Sequence, residues 1–328
     1  MRPFTYTNAK NTQEALQQTT ATTHYLAGGT NLVDLMKEDV ERPDQLVDVN
    51  NLEFNKIEKN QSGGWSLGAM LNNSDTANHP DIRKNYPLLS MAMLSAATAQ
   101  IRNMATNGGN LMQRTRCPYF FETSMPCNKR EPGSGCGAID GMNAVHAIFG
   151  YSKECIATHP SDMCVALAAM GAEVEVQKPD GSSRRIPFSE FHRLPGDRPE
   201  KDTNLEKGEL ITQIHLSTPQ FSDNYYYLKI RERSSYAFAL ISVAAGLSIQ
   251  NGMISRVGLA MGGVAHKPWK LSEAEEFLKG KKATTENFEK AAELAMKDAK
   301  PFEKNKYKVE MGTKAVVRAL QQAINRTA

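Results

Sequence analysis

The sequence predicts an α+β fold, and three observations carry the prediction. Near the N-terminus a strand, a glycine turn, a helix and a second strand follow one another, as in a βαβ unit. Further along, strands are joined by tight turns, as in an antiparallel sheet, and the C-terminal part of the chain changes to helical periodicity. Between these regions lies a long segment with no periodicity, rich in Pro, Gly and Cys.

The elements follow in order. His24-Tyr25-Leu26-Ala27 is a short apolar strand that meets Gly28-Gly29-Thr30-Asn31, after which Leu32, Val33, Leu35, Met36 and Val40 recur at helical spacing. Pro43 is expected to end that helix, and Leu46-Val47-Asp48-Val49 is the next strand. Gly63-Gly64 reads as a hairpin turn into a strand at residues 65–69. Residues 87–102 read as one Ala- and Met-rich helix ended by Asn107-Gly108-Gly109-Asn110. Ser161 is a candidate N-cap for a helix over residues 162–170 that Gly171 closes; a strand at 172–177 and the turn Pro179-Asp180-Gly181 come next. Strands are expected at 225–230, 237–249 and 254–261, the last two joined through Asn251-Gly252, and helices at 272–278, 285–297 and 307–325.

Composition narrows the function. The 328 residues suffice for about two or three domains with cores that need no disulfide staples. Hydrophobic residues at 40% and charged residues at 23% exclude wholesale disorder. Lys+Arg 39 against Asp+Glu 36 leaves a net charge of +3 with no dense basic stripe, so nucleic acid is not an expected partner. No run approaches the ~20 apolar residues of a bilayer span, so no membrane insertion is expected. Met1-Arg2-Pro3-Phe4-Thr5-Tyr6 lacks the pattern of a cleavable signal and Arg184-Arg185 is internal, so the chain is expected to fold in the cytoplasm.

Two glycine loops are candidate phosphate cradles. In Ala27-Gly28-Gly29-Thr30-Asn31-Leu32 the absent side chains let a phosphate approach the backbone at a helix start. Thr106-Asn107-Gly108-Gly109-Asn110 repeats that chemistry, and two such loops suit a pyrophosphate held from both sides. Neither has Rossmann or Walker spacing, and a tight turn or a helix cap accounts for either one taken alone. Ser161 and Asp162, in His159-Pro160-Ser161-Asp162, offer hydroxyl and carboxylate groups to a ribityl or sugar chain; simple N-capping is the plainer reading of Ser161. No arrangement announces nucleophilic or acid–base catalysis, and no catalytic residue is assigned.

All five cysteines fall between Cys117 and Cys164. Cys164 sits in an apolar helical run and reads as a small buried hydrophobe. Cys117, Cys127, Cys136 and Cys155 lie in the irregular segment, where metal–thiolate bonds would replace a missing apolar core. Their wide spacing contains no C-x-x-C pair of the zinc type and no short ferredoxin run, so iron–sulfur, zinc and unligated thiols all stay open at this point. His146 and His159 are rival ligands that read more simply as hydrogen-bonding groups.

Taken in order, the two glycine loops, with Ile101-Arg102-Asn103-Met104-Ala105 leading into the second, and His159-Pro160-Ser161-Asp162-Met163 resemble the FAD-binding subunit of the molybdenum hydroxylases. Lys229-Ile230-Arg231-Glu232-Arg233, Ala237-Phe238-Ala239-Leu240 and Gly262-Gly263-Val264-Ala265-His266-Lys267-Pro268-Trp269 are similar to the C-terminal domain of those flavoproteins. The insertion, with Arg114-Thr115-Arg116-Cys117-Pro118-Tyr119-Phe120 and Pro126-Cys127-Asn128-Lys129-Arg130, is most similar to the medium subunit of bacterial periplasmic aldehyde oxidoreductases.

The resemblance implies a two-subdomain α/β FAD-binding domain of the vanillyl-alcohol-oxidase type, divided at residues 1–56 and 57–220. It also implies a cluster-binding insertion at about 112–158 and a C-terminal flavoprotein domain at 221–328. It implies FAD held by Ala27, Gly28, Gly29, Thr30, Asn31 and Leu32, by Thr106, Gly109 and Asn110, and by Ser161 and Asp162, with Ile211 and Lys229 along the flavin. A [4Fe-4S] cluster on Cys117, Cys127, Cys136 and Cys155 is implied as well. The implied function is electron transfer from two [2Fe-2S] clusters on a small partner, through flavin, to an external acceptor. A large molybdenum-cofactor subunit would complete a heterotrimer that oxidises an aldehyde. The implied location is the periplasm, reached by export of the folded complex on a partner's signal; the cytoplasm is the alternative. Other readings are an FAD subunit of a xanthine or aromatic acyl-CoA hydroxylase, a stand-alone flavin oxidase, and a zinc-stabilised nucleotide-binding module without redox turnover.

Overall fold

A computed structural model describes residues 1–325, and among them three sheets organise the chain. The first holds Thr5–Asn8, Gln45–Asp48 and Thr23–Leu26, with Gln45–Asp48 in the centre and both pairings parallel. The crossover helix Leu32–Lys37 makes the expected βαβ unit but stops well before Pro43. Asp39 adopts φ 58°, and the amides of Val40 and Glu41 turn back to the carbonyl of Leu35, so a left-handed residue closes the helix.

The second sheet is antiparallel, in the order Ile57–Lys59, Trp65–Gly68, Leu210–Leu216, Glu173–Gln177, Ser183–Pro187. Its central strand went unrecognised in the sequence because Thr212 and His215 make it look polar, yet both are buried. His215 bonds Ser66 Oγ (2.8 Å) and Glu175 Oε2 (2.8 Å) on the flanking strands, which removes the cost of burying it. The helix expected over 87–102 is two helices, Pro87–Ser95 and Ala99–Met104. Ala97 has φ 49° and Thr98 caps the new start by accepting from the amide of Ile101, so good helix formers do not prevent the break.

The third sheet, Trp269–Lys270, Met253–Gly262, Ile241–Gln250 and Asn224–Ile230, is antiparallel throughout. Asn251 and Gly252 both take positive φ (51° and 74°), as the two-residue hairpin turn demands. The middle strand starts at Ile241 rather than at 237, and residues 231–240 form a loop. Helices Ser272–Leu278 and Tyr307–Ile324 bury one face each against this sheet, and Thr285–Met296 packs on those two helices; Phe288, Val316 and Leu320 are fully covered.

Residues 112–158 are largely irregular, with the short helix Pro118–Phe121 and an isolated bridge between Cys127 and Cys136. Ion pairs fasten the segment to the rest of the molecule. Arg114 pairs with Glu41 and with Asp202 (2.8 Å), while Lys129, 1% exposed at its side chain, reaches Asp202 (2.5 Å) and the carbonyl of Pro199 (2.7 Å). Burial opposes ionisation of Asp202, but Lys129 and Arg114 hold its carboxyl well below the usual range.

Candidate functional site

The strand Thr23–Leu26 delivers the first glycine loop against the backbone that leads into the second. A Cβ on Gly28 would collide with the carbonyl of Met104, and Gly29 takes φ 70°, which L side chains rarely adopt. The two loops therefore touch through bare backbone. Thr106 caps the short helix Asn107–Leu111, its Oγ1 accepting from the amide of Gly109 (3.1 Å). Asn110 donates to Asn73 Oδ1 (2.6 Å) and accepts from Ser161 Oγ (2.6 Å), which ties the second loop to the start of helix Asp162–Met170. Ser161 also caps that helix through the amide of Cys164 (3.2 Å).

Asp162 is buried, and both of its oxygens are engaged. Oδ1 accepts from the hydroxyl of Tyr227 (2.7 Å) and Oδ2 from the ammonium of Lys229 (2.7 Å). Tyr227 and Lys229 lie two apart on one strand and so share a face. Burial, and next the charge of Asp162, push the Tyr227 hydroxyl well above its ordinary pKa, so it stays a donor. Tyr227 went unread in the sequence; the period-two relation to Lys229 is the signal that would have found it.

Asn31 accepts the amide of Arg114 on Oδ1 (3.0 Å), while its Nδ2 is buried without a partner. A buried amide donor without an acceptor costs about 1–3 kcal/mol, and a phosphate oxygen is the kind of acceptor that relieves it. This orphan donor fits a phosphate group at the first loop. Leu32 opens helix Leu32–Lys37, and Ala27 and Thr30 complete the first loop. Ile211 is buried on the strand Leu210–Leu216, in the core cluster that also holds residues of helix Asp162–Met170.

Cys117, Cys127, Cys136 and Cys155 line one pocket with Tyr119 and Lys129. Burial pushes the Cys117 thiol up to about 12 and that of Cys155 up to about 11, so stable thiolates there require a compensating cation. Among the described residues no three of these sulfurs lie mutually within 4.8 Å. Cys164 is fully buried on helix Asp162–Met170, where donor atoms of Cys164, His159 and His192 lie within 4.8 Å of one another. His146 places Nε2 3.1 Å from Cys117 Sγ, whereas His159 lies against His192 with ring centroids 4.3 Å apart and the rings tilted.

A family model described as the FAD binding domain in molybdopterin dehydrogenase matches residues 2–219, and one described as the CO dehydrogenase flavoprotein C-terminal domain matches residues 226–323. The chain is 43% identical to the aldehyde oxidoreductase FAD-binding subunit PaoB of Escherichia coli (strain K12), over 98% of this chain and 99% of the relative. It is 28% identical to the glyceraldehyde dehydrogenase medium chain of Sulfolobus acidocaldarius, over 85% of this chain and 82% of the relative. Among solved structures, a chain of carbon monoxide dehydrogenase from Hydrogenophaga pseudoflava superposes with a TM-score of 0.77 at 25% identity, covering 100% of this chain and 99% of that one.

Proposed function

The chain belongs to the FAD-binding medium subunits of the molybdenum hydroxylases, and from that membership we propose that it is the FAD- and [4Fe-4S]-carrying electron-transfer subunit of a molybdenum-dependent aldehyde oxidoreductase. Its partners in this reading are a large subunit with the molybdenum cofactor, where the aldehyde is oxidised, and a small subunit with two [2Fe-2S] clusters. An external acceptor receives the electrons. The aldehyde class rests on the 43% identity to PaoB across nearly the whole of both chains.

Bound flavin and an iron–sulfur cluster supply the electron chemistry, and the protein supplies binding, orientation and electrostatics. Gly28 lets the first loop close onto the Met104 backbone, and the orphan Asn31 Nδ2 is assigned to a phosphate oxygen. Ala27, Thr30 and Leu32 complete that side of the pyrophosphate site; Thr106, Gly109 and Asn110 form the other. Asp162, held by Tyr227 and Lys229, keeps lone pairs free for the ribityl hydroxyls beside Ser161. Lys229 and Ile211 are assigned to the flavin side, and Cys117, Cys127, Cys136 and Cys155 to the cluster. No side chain of this subunit is assigned acid–base work.

The observation that carries the cofactor reading is the pairing, in one chain, of a frame in which the second glycine loop is hydrogen-bonded to the start of helix Asp162–Met170 and a separate pocket lined by four thiols. An absorption spectrum of the purified complex, with flavin, iron and sulfide quantified, tests it. The expected result is a yellow-brown protein with FAD and, per copy of this chain, iron and sulfide beyond what the small subunit accounts for. A colourless protein containing zinc would replace this reading with a structural nucleotide-binding module.

A further inference from the structure

One contact in the thiol pocket is left over once four cysteines serve as ligands. His146 lies in the insertion between Cys136 and Cys155, is 2% exposed, and its Nε2 stands 3.1 Å from Cys117 Sγ. Its Nδ1 is buried without a partner. The main chain around it is clamped from the far end of the sequence. Lys308, fully buried at the start of helix Tyr307–Ile324, donates to the carbonyls of His146 (2.9 Å), Val145 (2.9 Å) and Gly263 (2.7 Å), and Asn305 Nδ2 donates to the His146 carbonyl (3.3 Å). The ring of Tyr119, centroid 6.5 Å away and tilted, flanks the imidazole.

A ligating cysteine is a thiolate, which accepts and does not donate. Nε2, the nitrogen that faces Sγ, is therefore the one that carries a proton.

Resting on the cluster reading above, we propose that His146 is a positioning residue for Cys117, its Nε2–H donating a hydrogen bond to Sγ and its backbone held in register by Lys308. A hydrogen bond to a ligating sulfur draws charge from the thiolate and favours the more reduced state of an iron–sulfur centre. The C-terminal domain, through Lys308, thus takes part in setting the properties of a site built in the N-terminal half of the chain.

The test uses the intact complex carrying His146→Leu, His146→Gln or Cys136→Ser, with iron, sulfide and FAD quantified and the midpoint of the [4Fe-4S] signal followed by paramagnetic resonance during reductive titration. His146→Leu is expected to keep its iron and to shift the cluster midpoint to more negative potential. His146→Gln, which retains a side-chain N–H, should fall between it and the wild type, and the FAD midpoint should not move. Full iron with an unchanged midpoint in His146→Leu overturns the proposal. Iron lost from both His146 variants but kept in Cys136→Ser also overturns it, making the histidine itself a ligand. In the wild type, exchange into D2O should shift the Fe–S(Cys) stretching bands; no shift overturns the hydrogen bond even if every variant loses its metal. A wild-type complex with no iron or sulfide beyond the small subunit's refutes the underlying cluster reading, a result distinct from all of these.

Discussion

Gly28 and Gly29 show why a side chain matters most where none is present. The first loop approaches the Met104 carbonyl so closely that a methyl group has no room, and Gly29 occupies a left-handed backbone region. Gly28→Ala must push the two loops apart, and Gly29→Val must distort the turn. Each is expected to weaken FAD binding by at least ~10-fold, equivalent to about 1.4 kcal/mol. Flavin content after gel filtration checks this, and stoichiometric FAD in Gly29→Val would mean that the loop does not hold the pyrophosphate. The cysteines sort in the same residue-by-residue way. Serine at Cys117, Cys127, Cys136 or Cys155 should remove the proposed cluster or unfold the insertion, because ligand binding is also folding energy for a largely irregular segment. Cys164→Ser should leave iron content unchanged, since Cys164 lies on helix Asp162–Met170 and outside the four-thiol pocket. Iron analysis of the five variants decides, and equal loss from Cys164→Ser would sink the ligand assignment.

At the scale of elements, helix Asp162–Met170 was legible to the residue: Ser161 caps it and Gly171, at φ 65°, closes it. Asn251-Gly252 was equally legible, because in both cases a local backbone requirement selects the residue type. Legibility failed where tertiary contacts override local preference. The break at Ala97 lies among good helix formers, and the strand Leu210–Leu216 hides behind polar residues that its neighbours satisfy. In the site, the glycine loops and the cysteines could be read because each is a local motif. Tyr227 on Asp162, Lys308 beneath His146 and Asp202 between Arg114 and Lys129 could not, since each joins residues far apart in sequence. Ser161 links the local and tertiary levels, capping the helix and bonding Asn110 at once. Ser161→Ala should therefore cost about 1–2 kcal/mol of stability from the cap and also loosen FAD. A thermal unfolding midpoint lowered in both the apo and flavin-loaded forms, with a larger drop when loaded, is the expected pattern. An equal drop would confine Ser161 to capping.

The molecule as a whole has a buried basic interior that should govern its response to acid. His192 and His266 are each pushed down to about 4, first by burial, from an ordinary value of 6.5. Between those values the unfolded chain holds more protons than the folded one, so stability is full above pH 6.5 and falls as the pH drops toward 4. A gap of that size is worth about 3 kcal/mol per histidine at full protonation. Asp202, held low by Lys129 and Arg114 despite its burial, adds its own loss only below its ordinary value of 3.8. Unfolding midpoints compared at about pH 7.5 and about pH 5 should drop, and His266→Gln should flatten the dependence. A flat wild-type profile would mean that these histidines are not buried neutral.

Assembly bears on where the protein works. The proposed FAD frame draws on residues 27–32, 106–110, 161–162 and 227–229, and the proposed cluster on residues 117–155, so the FAD site does not exist before most of the chain has folded. Metal binding and folding are then one event, and a cluster inserted in the cytoplasm commits the subunit to travel, if it travels, as a folded body. We therefore expect export of the finished complex, directed by a twin-arginine signal on one partner. Deleting that partner's signal should abolish periplasmic activity and leave this subunit inside the cell with its flavin and iron bound. Fractionation of cells with intact partners decides between the two locations. A subunit found wholly in the cytoplasm there would refute export, because a complex matured as a folded unit and lacking any exported member has no route across the membrane, and the aldehyde oxidised would then be a cytoplasmic one.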